Sequence, residues 1–271
     1  MSHRAVTSLV AVATGFTVLS PAGAASASPA IGAATVPTSR IVGGHPAREP
    51  DYPWMARLTL DTPKGKALCG GSLISPDIIL TAAHCFINST VTKVTADIGK
   101  VDYRQAAAVG QQRTGTKNLH GAGTEKSDWA VVKLDQPYQA PAFAQLTKDN
   151  SHDAAPTFTA AGWGTTEVWG DTSPVLLEVS LSRVSDAQCG NVASVEICAG
   201  DYDEGGVDTC DGDSGGPLLA NDGSNALVGV TSWGYLCAEP QHPGRYTRIS
   251  HFLSDIKQAI SSLGGQQPPG F

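Results

Sequence analysis

The segment Gly212-Asp213-Ser214-Gly215-Gly216-Pro217 sets a serine between an acid and a run of glycines. Glycine lets the backbone bend where side chains would clash and leaves the hydroxyl uncovered. The same bends let successive N–H groups converge on one point, which is what a developing oxyanion needs. A hairpin turn could use the same residues. Two upstream segments complete a chemical set. Leu80-Thr81-Ala82-Ala83-His84-Cys85 offers an imidazole. Serine is a weak nucleophile at its free pKa, and histidine is the side chain suited to take its proton near neutral pH. Ser127-Asp128-Trp129 places a carboxylate at the start of the apolar run Ala130–Leu134. A buried acid there is costly unless it accepts hydrogen bonds, and the second N–H of an imidazole satisfies that demand.

His84, Asp128 and Ser214, in that order and each within its own motif, resemble the trypsin/chymotrypsin family of serine proteases, of the bacterial, actinomycete type. The likeness runs from Ile41 to about Leu263. It implies an all-β fold of two six-stranded antiparallel Greek-key barrels with a C-terminal helix. It also implies a serine endopeptidase in which Ser214 attacks, His84 moves the proton and Asp128 orients the ring. The N–H groups of Gly212 and Ser214 would form the oxyanion hole. The competing reading is a catalytically silent relative that serves as a binding protein; the intact motifs argue against it.

The resemblance extends to substrate choice and activation. Asp208 matches the position at the base of the primary specificity pocket. An unpaired buried carboxylate there favours Arg or Lys over apolar side chains. Gly234 and Gly244 match wall positions that leave room for a long side chain. Ser232-Trp233-Gly234 resembles the edge that pairs with substrate backbone, and Thr209 adjoins the pocket. Leu236 departs from the pattern, standing where trypsins commonly have glycine; with Thr209 it opens the reading of a narrow, regulatory protease. Ile41-Val42-Gly43-Gly44 resembles an activation site: cleavage after Arg40 creates an ammonium on Ile41 that pairs with Asp213 and orders the serine loop. Such a pair is lost as pH rises through the raised amine pKa.

Six cysteines allow fifteen pairings. The resemblance implies Cys69–Cys85, Cys189–Cys198 and Cys210–Cys237, each contributing roughly 2–4 kcal/mol. No paired C-x-x-C suggests a zinc site. Asp186 and Glu196 resemble calcium ligands of some bacterial relatives, but Arg248 stands where a further acid is expected, so neither metal nor other cofactor is expected.

Elements must bring these segments together. Short apolar runs between Gly-, Pro- and Asp-containing turns (Trp54–Leu60, Leu68–Ile74, Ile78–Leu80, Ala130–Leu134, Thr157–Gly162, Leu176–Leu181, Ala226–Ser232, Arg245–Ile249) suit barrels or sandwiches. Gln136–Pro156 reads as the crossing between halves. Ile249, Phe252, Leu253, Ile256, Ile260 and Leu263 form one helical stripe, expected to pack on the second barrel, with Ser250 and Gly264 as caps. Residues 1–27 read as a secretory signal peptide and 28–40 as a propeptide. The remaining divisions are a barrel over 41–148, a second barrel with its helix over 149–265, and a frayed tail over 266–271. No stretch is long and apolar enough to span a membrane. The formal charge is −7; losing Arg4 and Arg40 takes it to about −9, which argues against nucleic acid and anionic membranes as partners. The expected protein is a secreted monomer acting on Arg/Lys-containing proteins or peptides and open to proteinaceous inhibitors.

Overall fold

A computed structural model describes residues 41–165, 167, 169–190 and 194–270. The proposed signal peptide, propeptide and Arg40 lie outside the described residues. In chain order the strands are β1 (His45–Pro46), β2 (Met55–Thr62), β3 (Gly65–Ser75), β4 (Ile78–Thr81), β5 (Lys93–Ile98), β6 (Gln112–His120), β7 (Ala130–Leu134), β8 (Thr157–Gly162), β9 (Leu177–Val184), β10 (Glu196–Ala199), β11 (Pro217–Ala220), β12 (Leu227–Trp233) and β13 (Gly244–Arg248). Among the described residues three α-helices join them: α1 (His84–Ile87), α2 (Asp186–Cys189) and α3 (Ile249–Ser262).

Strands β2-β3-β4-β7-β6-β5 close one six-stranded antiparallel barrel. Strands β8-β9-β10-β13-β12-β11 close a second, because β8 pairs with β9 as well as with β11. The two rings have the same strand order, so one barrel topology is used twice. Closure removes free edges. Each barrel is filled from its inward-facing positions, Leu58, Leu60, Leu73, Ile79 and Val131 in the first and Phe158, Leu181, Leu218, Val228 and Tyr246 in the second. The connection between them runs from Leu134 to Thr157, where the crossing was expected.

Four placements differ from the sequence expectation. Residues 41–46 do not join the first barrel: β1 pairs with β9, and Ile41 is buried in the second barrel's core. Helix α3 packs on β7 of the first barrel as well as β12 of the second. Its apolar stripe, Ile249, Phe252, Ile256 and Ile260, joins the larger cluster that spans both. Ser250 does not cap it; the N-cap is Arg248, and the Ser250 hydroxyl bonds Asp153 Oδ2 at 2.6 Å instead. Gly264 does follow the helix end in left-handed conformation (φ +65°), as its freedom predicts. The tail is held: Gln266 N–H donates to Asp77 Oδ1 at 2.9 Å, and Pro268 is buried.

Candidate active site

His84 opens α1, and the disulfide Cys69–Cys85 ties that turn to β3. Its Nδ1 donates to Asp128 Oδ2 at 2.7 Å, and its backbone N–H donates to Asp128 Oδ1 at 2.8 Å. An ionised carboxylate only accepts, so the ring nitrogen that meets it, Nδ1, carries a proton, and in the neutral ring Nε2 is then the nitrogen with the free lone pair. Asp128 is 2% exposed. Burial works to raise its pKa, but the bonds from His84 and Ser232 outweigh it and hold the carboxyl below its ordinary value. Two residues of the second barrel complete this shell: Ser232 Oγ donates to Asp128 Oδ2 at 2.5 Å, and Thr247 Oγ1 donates to the Asp128 carbonyl at 2.9 Å. The acid thus locks one barrel to the other. The Ser232 side chain serves Asp128, a role the substrate-edge reading did not anticipate.

Ser214 reaches the same region through backbone contacts. Gly70 N–H donates to the Ser214 carbonyl at 2.7 Å. Gly215, at φ +83°, lies so close to Thr81 Oγ1, Gly70 O and Ala82 N that a Cβ would overlap them. That contact sets the serine beside the turn leading to His84. Among the described residues the half-buried Ser214 hydroxyl makes no hydrogen bond, and such nucleophile–base bonds commonly tighten only with substrate.

The amides around Ser214 divide sharply. Asp213 N–H is spent on the Cys210 carbonyl, Gly215 N–H on Thr231 and Gly216 N–H on Asp213. Those of Gly212 and Ser214 find no acceptor among the described residues, and Gly212 takes φ +93°. These are the two donors expected to hold an oxyanion.

Asp213 is fully buried. Gly164 N–H (2.7 Å) and Cys210 N–H (3.0 Å) donate to it, and a Cβ on either Gly162 or Gly164 would strike its carboxylate. Desolvation pushes its pKa up to about 7. No cation pairs with it among the described residues. Ile41 is buried in the second barrel's core at φ +94°, a strained conformation for a β-branched residue.

A cavity of about 90 Å³ opens at Ser214, with Asp208, Thr209, Asp211, Ser232, Trp233, Gly234, Leu236 and Gly244 among its walls. Asp208 is 2% exposed and raised to about 7 by burial. Thr209 N–H (2.7 Å), Thr209 Oγ1 (3.4 Å) and Tyr246 OH (3.3 Å) all bond its Oδ1. A Cβ on Gly244 would overlap this carboxylate, so only glycine fits. Nothing crowds Gly234 more closely than 3.5 Å. Leu236 stands at the rim, half exposed, at φ +56°. It pays a local conformational cost that glycine would not, and its side chain adds apolar surface at the mouth. Sequence reading missed Tyr246, whose hydroxyl is legible only through tertiary contact, and Asp211, which was hidden beside the better-known motif.

The other two disulfides are Cys189–Cys198 and Cys210–Cys237, and the latter braces the cavity wall. The region of Asp186 and Glu196 does not suit a metal ion. The Arg248 guanidinium already occupies it, 2.9 Å from Asp153 Oδ2, 2.9 Å from the Glu196 carbonyl and 3.8 Å from Asp186 Oδ1. Glu196 turns its Oε1 to Trp233 Nε1 at 2.8 Å.

A family description, Trypsin, matches residues 41–256. The chain belongs to the trypsin family. It is 37% identical to a trypsin-like protease of Streptomyces glaucescens over 243 residues, covering 86% of this chain and 87% of that one. It is 35% identical to a trypsin of Saccharopolyspora erythraea over 237 residues, covering 82% and 99%. A venom serine protease of Bombus ignitus is 35% identical over 256 residues, covering 84% and 70%. The trypsin-family chain is therefore a serine endopeptidase, a hydrolase of proteins. The barrels, their disulfides and the C-terminal helix are those the resemblance implied.

Proposed function

We propose that this protease hydrolyses peptide bonds on the carboxyl side of Arg or Lys. The observation that carries the reading is Asp208, buried at the base of a cavity that opens on Ser214. A guanidinium or ammonium supplies the counter-charge that Asp208 lacks, whereas an apolar side chain leaves the carboxylate desolvated and unpaired.

In the proposed cycle the Ser214 oxygen attacks the carbonyl carbon while its proton passes to His84 Nε2. Asp128 fixes the ring and stabilises the imidazolium. The oxyanion lies against the N–H groups of Gly212 and Ser214, each such donor worth about 10²–10³ in rate. Collapse expels the amine, which takes the proton from His84, and leaves an ester on Ser214. Water then attacks that ester by the same steps in reverse, freeing the acid and restoring the serine.

Activation by cleavage after Arg40 belongs to the same reading. The buried, cation-free Asp213 and the strained, buried Ile41 support it. The new ammonium would supply the missing charge and release the strain. The enzyme is read as secreted and monomeric, without cofactor, restrained by proteinaceous inhibitors that present Arg or Lys to the cavity.

A fluorophosphonate, which phosphonylates activated serines with loss of fluoride, tests the catalytic assignment. The cleaved chain should be labelled at Ser214 alone, and His84→Ala should abolish labelling. Labelling elsewhere, or none, would refute it.

A further inference from the structure

Glu196 lies on β10, is 3% exposed, and has its carboxyl pKa pushed up by burial. Its compensation is thin. Oε1 accepts from the Trp233 indole Nε1 at 2.8 Å, and Oε2 lies 3.6 Å from Arg245 Nη1. Replacing a buried ion pair by apolar side chains of like size often costs a fold nothing. Stability alone therefore does not account for an acid here.

Arg245 serves the same indole. Its guanidinium stands over the Trp233 ring, 5.1 Å from the centroid and within cation–π range. Nη1 also donates to the Cys189 carbonyl at 2.6 Å, and a disulfide ties Cys189 to Cys198 on β10. The backbones of Trp233 and Arg245 pair across β12 and β13, with a register shift just before Trp233. An acid thus holds the indole N–H, and a cation anchored at Cys189 covers the ring. Trp233 ends β12, is only partly buried, and walls the cavity at Ser214. A large ring at the open end of a strand would otherwise sample several rotamers.

We propose that Glu196 and Arg245 are positioning residues for substrate. They lock the Trp233 indole in one orientation and keep the Ser232–Gly234 edge preformed for the backbone of an extended peptide. This rests on the proposed substrate edge and on the proposed cleavage at Arg or Lys. A preformed edge lowers the ordering cost of binding, so the effect lies in capture of long substrates and not in bond making at Ser214.

The test compares a tetrapeptide amide ending in Arg with the amide of a single blocked Arg. Both report cleavage, but only the longer one spans the edge. Glu196→Leu should lower the tetrapeptide-to-single-residue ratio of kcat/KM by about 10-fold, through KM. Glu196→Gln, which still accepts from the indole, should retain most of the ratio. In a Trp233→Phe background, which lacks the N–H, Glu196→Leu should change the ratio no further. Equal losses on both substrates, or additive losses in the double variant, would overturn the positioning role. Should Glu196→Leu lack a cooperative melting transition, Arg245→Met decides: it should lower the same ratio, and an unchanged ratio would overturn the proposal. A wild type that cleaves the single-residue amide but gains nothing from the longer peptide would overturn it too. Cleavage of neither Arg substrate would instead remove the reading on which it rests.

Discussion

Ser232 and His84 share one oxygen of Asp128: the serine hydroxyl donates to Oδ2 from 2.5 Å and the imidazole Nδ1 from 2.7 Å. Ser232 sits on the second barrel and Asp128 on the first, so a single carboxylate couples barrel docking to the orientation of the His84 ring. Replacing Ser232 by Ala removes one of the bonds that hold Asp128 low. The Asp128 pKa should rise, and the acid limb of the pH–rate profile should move to higher pH. A donor to a charged group is worth roughly 1.5–3 kcal/mol, so kcat should fall by about 10- to 100-fold with KM little changed. A profile identical to wild type would show that His84 alone positions the acid.

The state of Asp208 makes cation binding depend on pH. Desolvation holds its pKa at about 7 in the empty cavity. The ionised form binds a cation, and the protonated form does not. Affinity for a small aryl amidinium should therefore be level above about pH 8 and decline as pH falls through about 7. Titration calorimetry across pH 5–9 measures this directly. Affinity independent of pH over that range would mean that Asp208 does not meet the cation.

Asp213 gives the corresponding prediction for the uncut chain. Its folded pKa is raised from 3.8 to about 7, so the unfolded chain releases this proton first as pH rises. The folded state loses stability between about pH 4 and 7, and the loss persists above 7. An ammonium paired with Asp213 favours the charged form and removes that penalty. With Ser214→Ala to prevent self-cleavage, chain cut after Arg40 should thus melt higher than uncut chain at pH 8, with the gap closing toward pH 4. Equal melting curves at both pH values would contradict pairing between Ile41 and Asp213.

The parts of the site that were legible in sequence are those confined to short motifs. His84, Asp128, Ser214, Asp208 and the glycines around them each sit where only one residue type suits the chemistry or the space. Gly244, against the Asp208 carboxylate, is one such position. Strands whose residues alternate weakly were missed. In β6, Gln112–His120, polar residues predominate and most side chains face solvent, so its pairing with β5 and β7 comes from barrel closure and not from its own pattern. The 41–46 segment pairs with β9, more than 130 residues away, and no local signal encodes that partner. Ser232 and Tyr246 likewise owe their places near Asp128 and Asp208 to long-range register. Tertiary context decides what a hydroxyl does; sequence supplies only the hydroxyl.

The specificity of the socket is tested most directly by initial rates of the cleaved enzyme on four otherwise identical amide substrates with Arg, Lys, Phe or Ala before the scissile bond. Arg and Lys should exceed Phe and Ala in kcat/KM by at least about 10³-fold, and Asp208→Ser should erase most of that difference. Comparable rates on Phe or Ala, or a cation preference that survives loss of Asp208, would contradict the account.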